Sequence, residues 1–92
     1  MAQIIWPKAI LDALEELPER ERNLVFEKAG HLEKFPEMYP QRLAGSFRRY
    51  RWFLAGNWLV YYRFVDEAVC IRALWPAVFH MARNSFKDHC KS

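Results

Sequence analysis

The chain has 92 residues, of which 52% are hydrophobic and 16% aromatic, and it carries a formal net charge of +3. That length excludes a second domain and fits one two-layer core, while the apolar content excludes a disordered chain, because enough surface can be buried to offset chain entropy. The apolar runs fall far short of the roughly 20 residues of a bilayer span, and Met1-Ala2-Gln3-Ile4-Ile5-Trp6-Pro7 lacks the basic start and long apolar stretch of a secretion signal, so a cytoplasmic protein without membrane contact is expected.

Residues 2–6 form a short apolar run that predicts an edge strand, and Pro7 suits the first position of a helix because no amide donor is needed there. From Lys8 to Leu17 the residues Ile10, Ala13, Leu14 and Leu17 follow the i, i+3, i+4, i+7 spacing of a helix burying one stripe. Pro18 breaks it and opens a second helix, with Glu19 and Glu21 favourable at its positive end. This helix is expected to run to about Phe35, with Val25, Ala29 and Leu32 on its buried side, until Pro36 forbids helical geometry for the residue before it. The segment 36–45, with two prolines and a glycine, predicts a loop.

Three β runs follow, separated by Ala55-Gly56-Asn57 and by Asp66-Glu67, and a meander is the economical topology. Trp75-Pro76 ends the last run, after which Phe79, Ala82 and Phe86 are spaced for a short C-terminal helix packing back on the sheet. The predicted fold is α+β in two layers: an N-terminal strand, a helical hairpin and a three-stranded antiparallel meander, in a single domain over residues 1–92.

Strand side chains alternate between faces, so parity sorts the sheet. In the middle strand Trp58, Val60, Tyr62 and Phe64 are assigned to the helices, which leaves Leu59, Tyr61, Arg63 and Val65 outward. In the preceding strand Tyr50, Trp52 and Leu54 form the inward set, with Arg49 and Arg51 opposite them and Arg48 at the strand entrance. In the last strand Val69, Ile71 and Ala73 are inward, and Arg72 is outward with Cys70 and Leu74. The expected result is an open face bearing Arg49, Arg51, Arg63 and Arg72.

Charge is segregated along the chain. Asp12, Glu15, Glu16, Glu19, Glu21, Glu27, Glu33 and Glu37 crowd the first part, while Arg42, Arg48, Arg49, Arg51, Arg63, Arg72 and Arg83 follow. An antiparallel sheet with one wet face carries charge there in any case, and basic residues also deter edge pairing. Arginine in preference to mixed charge nevertheless suits bidentate contact with phosphate, and Tyr61 among the arginines is placed to stack on an unpaired base. Arg48, Arg49, Arg51, Arg63 and Arg72 are the candidate binding residues for nucleic acid or another polyanionic target.

Tyr61 is also the candidate catalytic tyrosine, and His80 is a candidate general base able to meet Arg51, Arg63 and Arg83, although a solvated helix histidine is the plainer reading. His31 is read as structural or solvated, and His89 as part of a terminal tail. Trp6, Trp52, Trp58 and Trp75 are read as packing residues. Cys70 and Cys90 show no metal-ligand or redox spacing and are read as reduced thiols. There is no glycine-rich phosphate loop, no Ser/His/Asp order and no metal spacing, so no cofactor and no metal are expected.

Taken together, Leu43-Ala44-Gly45 with arginines shortly after, Gly56-Asn57-Trp58-Leu59-Val60-Tyr61-Tyr62-Arg63, and Asp66-Glu67-Ala68-Val69 leading the final strand resemble the RelE/ParE superfamily of bacterial toxins over the whole chain. The resemblance implies the toxin of a type II toxin–antitoxin system, neutralised by a cognate antitoxin whose tail wraps it and binding operator DNA only as the toxin–antitoxin complex. RelE-like members cut messenger RNA on the ribosome without a metal, whereas ParE-like members are not nucleases and poison DNA gyrase. RelE-like members carry an arginine after the strand's first aromatic, where this chain has Leu59, and Arg63 lies roughly 13 Å further along the same face. Tyr62-Arg63 looks more like the ParE branch, although those relatives commonly end the last strand on His and Arg where this chain has Trp75-Pro76. A non-catalytic RNA- or protein-binding remnant on the same scaffold is the alternative.

Overall fold

A computed structural model describes residues 1–43, 45 and 47–77. The order of elements is β1 (Gln3–Ile5), α1 (Lys8–Glu15), α2 (Glu19–Gly30), a 3₁₀ turn (His31–Glu33), β2 (Arg51–Ala55), β3 (Trp58–Val65) and β4 (Ala68–Pro76). The expected C-terminal helix, with His80, Arg83, His89 and Cys90, lies outside the described residues.

Both helices start on proline. Pro7 and Pro18 are extended, with ψ of 148° and 143°, and each stands just before the first helical residue instead of inside the helix. Their carbonyls nevertheless accept first-turn bonds from Leu11 and Arg22. Glu19 and Glu21 in the first turn of α2 and Lys28 in its last match the helix dipole at both ends. Beyond Gly30 the helix tightens into the 3₁₀ turn, and the Phe35 amide still bonds the His31 carbonyl before Pro36 ends the run. Ile10, Leu14, Leu17, Val25, Ala29 and Leu32 are all buried, as their spacing predicts.

The sheet has four strands in the order β1-β4-β3-β2. The expectation of a three-stranded sheet is corrected here, because β1 lies parallel to β4, with Ile4 opposite Val69, and makes the sheet mixed. The return through the helical hairpin is what allows a parallel neighbour, since a tight turn joins only antiparallel strands. β2, β3 and β4 form the expected meander.

The main core lies between helices and sheet, where Phe53, Ala55, Val60, Tyr62, Val69 and Ile71 meet the helical residues, with Trp58 and Phe64 packed alongside. The β3 parity is therefore as expected. That of β2 is reversed: Phe53 and Ala55 face the helices, while Tyr50, Trp52 and Leu54 lie on the other side. The hairpin turn is the cause. Ala55 pairs directly with Trp58, so the loop is the two residues Gly56-Asn57, and Arg51, Phe53 and Ala55 share a face with Tyr62, Val60 and Trp58. Only Gly56, at φ 62°, has positive φ in that turn, as a type II′ hairpin requires.

A second correction falls on β4. Tyr61 pairs with Ala73 and Tyr62 with Ile71, which leaves Arg72 as an extra residue in a β-bulge. Past the bulge the parity inverts, so Leu74 packs on the helix side and Ala73 on the other, the opposite of the expected assignment. The outer face is consequently not an open arginine surface. It carries its own apolar cluster of Leu59, Tyr61 and Ala77, flanked by Phe47, Tyr50, Trp52 and Leu54.

Candidate functional site

The expected arginine face divides into separate places. Arg63 is outward and exposed, as parity predicts. Arg72 is exposed at the bulge. Arg48 and Arg49 belong to the turn that precedes β2, not to a strand, and Arg49 sits in the left-handed region at φ 76°. That conformation costs an L-residue roughly 1–2 kcal/mol. Two bonds hold it: the Arg49 amide donates to the Arg42 carbonyl at 2.8 Å, and the Gln41 side-chain amide donates to the Arg49 carbonyl at 3.3 Å.

Arg51 shares the helix-side face of β2 with Phe53, which corrects its assignment to the outer face. Its Nη1 donates to the Tyr39 carbonyl at 2.7 Å and to the Glu37 carbonyl at 3.3 Å, and its Nη2 meets Glu37 Oε2 at 3.2 Å. The guanidinium thus fastens the loop 36–41 to the sheet. Tyr62 does the same from β3, its hydroxyl donating to the Pro36 carbonyl at 2.9 Å while its ring packs edge-on to Tyr39. Burial pushes the Tyr62 phenol up to about 12, with the nearby Arg51 charge working in the opposite direction.

The same loop closes the free edge of β2. Gln41 bridges Arg51, the Arg42 amide donates to the Tyr50 carbonyl and the Trp52 amide donates to the Pro40 carbonyl, and from α2 Lys28 Nζ donates to the Leu54 carbonyl. An edge that would otherwise invite another strand is covered along most of its length.

Tyr61 is outward by parity but fully buried, which corrects its reading as a stacking platform. Its ring lies on Phe47 at a centroid separation of 4.1 Å. Burial raises the phenol above its ordinary value, and the charge of Arg42 and a hydrogen bond with it work the other way. A phenol raised in this way favours its protonated form at neutral pH.

What the fold does bring together is a cleft of about 190 Å³ at the rim of the sheet, lined by Glu37, Gln41, Arg49, Arg51 and Arg63 with Phe64 and Val65. The guanidinium of Arg63 lies over the Tyr50 ring, 5.5 Å from its centroid, within cation–π range. Among the described residues, Glu37 is the one carboxylate placed against these arginines, and it faces Arg51. Arg49, Arg51 and Arg63 line this rim cleft together, in place of the expected shared sheet face with Arg72. Gln41 and Glu37 were not singled out in the sequence. Their signal is the loop length that lets residues 37–41 fold back along β2.

A larger cleft of about 490 Å³ mixes Met1, Phe35 and Met38 with His31, Glu33 and Lys34, and it has no convergent set of like charges. Among the described residues no three His, Cys, Asp or Glu side chains stand close enough to hold a metal ion, and no helix is long and apolar enough to cross a membrane. Cys70 is a free, half-buried thiol opposite Arg63. In comparisons with known proteins, no family model, no curated protein and no solved structure matches the chain.

Proposed function

We propose that the chain is the toxin of a type II toxin–antitoxin pair, one that arrests growth by contact with the translation machinery or DNA gyrase and is neutralised by a cognate antitoxin. The observation that carries this reading is the order of elements, an edge strand, a helical hairpin and a three-stranded meander, which is the layout of the RelE/ParE resemblance. Contact is favoured over RNA cleavage by the outer face. Leu59 stands where the RelE-like arginine is expected and is buried beside Tyr61, whose phenol holds its proton at neutral pH. The arginine rim supplies the attraction for a polyanionic or acidic partner.

Induced expression in a bacterial host is expected to arrest growth, and co-expression of the small reading frame beside the gene is expected to restore it. Unimpaired growth at confirmed expression overturns the proposal. Primer extension on cellular messages separates the branches: cuts at codon boundaries replace the contact mechanism with the nuclease, while a DNA-damage response without cuts points to gyrase.

A further inference from the structure

We infer that the rim cleft is a binding site for a single phosphate group, held by Arg49 and Arg63 with the Gln41 amide beside them and Arg51 as its fixed floor. This deepens the polyanion reading above, and the two are separable, because phosphate binding is measured on purified protein and growth arrest in cells.

Charge is the first ground. Three guanidinium groups line a small space with one carboxylate, and that carboxylate faces Arg51. Among the described residues the ion pair in this cleft is that of Arg51 with Glu37, and the side chains of Arg49 and Arg63 form none. Like charges held in one cleft repel, and an anion between them removes that repulsion.

Preorganisation is the second. Arg49 is kept in a strained backbone conformation by two hydrogen bonds from neighbouring segments, and strain of this kind is retained where the surroundings enforce it. Arg63 is oriented by the Tyr50 ring, and Arg51 is fixed by two carbonyls and a carboxylate. Phe64 and Val65 form the apolar part of the wall.

Size and shape choose the anion. At about 190 Å³ the space corresponds to roughly six water molecules at liquid density, enough for a tetrahedral oxyanion with some water. A phosphate presents oxygens in several directions and can engage two guanidinium groups at once, whereas a planar carboxylate matches a single fork. The cleft already contains that simpler pairing in Arg51 with Glu37.

The test titrates the purified chain with inorganic phosphate and follows backbone amide resonances. Saturable shifts are expected at Gln41, Arg49 and Arg63, with Arg49→Gln and Arg63→Gln each weakening binding about tenfold and Arg72→Gln, an equal loss of charge at the bulge, changing it less than twofold. Unshifted resonances in the sheet core check that the variants fold, and Arg49→Lys, which keeps charge but loses the fork, is expected to fall between wild type and Arg49→Gln. A short single-stranded oligonucleotide and its uncharged methylphosphonate analogue identify the source. Tighter binding of the charged oligomer assigns the site to a nucleic-acid phosphate, and equal binding of phosphate alone assigns it to a small phosphate compound. The inference is overturned if Arg72→Gln weakens binding as much as the other two, if a glutamate-rich peptide outcompetes phosphate, or if no saturable shift is seen.

Discussion

The phenol ring of Tyr61 lies flat against the ring of Phe47, with centroids 4.1 Å apart and planes inclined by 4°. Aromatic rings prefer offset or edge-on contact to a face-to-face sandwich, and parallel planes at this centroid separation fit the offset form. Phe47 thereby seals the outer face over Leu59 and Tyr61. Phe47→Ala is expected to cost about 2 kcal/mol, below the range for a fully buried phenylalanine because Phe47 is itself half-exposed. It should also move the Tyr61 phenol back toward its ordinary value, read as an ultraviolet titration against Tyr61→Phe. Unchanged stability and titration would show that the stack does not seal the face.

Arg51 and Glu37 form an ion pair whose two ends differ in importance. The Glu37 side chain is 67% exposed and the Arg51 side chain 20%, and an exposed partner contributes little. Glu37→Gln is therefore expected to change stability by less than about 1 kcal/mol. Arg51→Ala also strips donors from the carbonyls of Glu37 and Tyr39 and should cost about 2 kcal/mol. Urea denaturation of both variants checks the asymmetry, and equal losses would mean that the carboxylate holds the loop.

Much of this architecture is readable from spacing alone. Ile10, Leu14 and Leu17, then Val25, Ala29 and Leu32, mark the helical stripes because a helix repeats its buried face by fixed geometry. The even residues of β3 mark the core for the same kind of reason. Strand β2 is not readable by parity, since Tyr50, Trp52 and Leu54 are as apolar as Phe53 and Ala55 and both faces are covered. Turn length decides it: a three-residue Ala55-Gly56-Asn57 turn opposes Leu54 to Trp58, whereas the two-residue turn opposes Ala55 to Trp58. That single-residue difference moves Arg51 to the other side of the sheet. The bulge at Arg72 has no glycine or proline to announce it, and the parallel pairing of β1 with β4 depends on tertiary packing. Three of the cleft's residues, Arg49, Arg51 and Arg63, were therefore legible within a set that also held Arg48 and Arg72, whereas Glu37, Gln41 and the geometry were not.

The β3–β4 turn stores strain. Asp66 and Glu67, at φ of 52° and 63°, both occupy the left-handed region between the paired residues Val65 and Ala68, the arrangement for which Asn-Gly is the favoured sequence. The double substitution Asp66→Asn, Glu67→Gly is expected to stabilise the chain by about 1 kcal/mol, after the greater unfolded-state freedom of glycine is allowed for. The Gln3 amide still finds the carbonyl of residue 67, so β1 is not released. For a domain of this size the melting temperature should rise by about 5 °C, and an unchanged value would mean that the turn carries no strain to relieve.

Tyr62 makes stability depend on alkaline pH. Burial raises its phenol to about 12 in the folded chain, while an unfolded tyrosine titrates near 10. Below about pH 10 both states keep the proton and stability is unaffected by this group. Between about 10 and 12 the unfolded chain gives up the proton while the folded chain retains it, so stability is lost as pH rises through that window, by about 3 kcal/mol in all. Tyr39 and Tyr61 are raised in the same direction and add to the loss. Tyr62→Phe forfeits the bond to the Pro36 carbonyl, about 1 kcal/mol near neutral pH, but should lose less than the wild type as pH rises past 10. Urea denaturation of both chains across this range decides the point. Parallel declines would place the alkaline sensitivity elsewhere, whereas a crossing of the two curves above about pH 10, the wild type ending below the variant, assigns it to the one phenol that ties the loop 36–41 to the sheet.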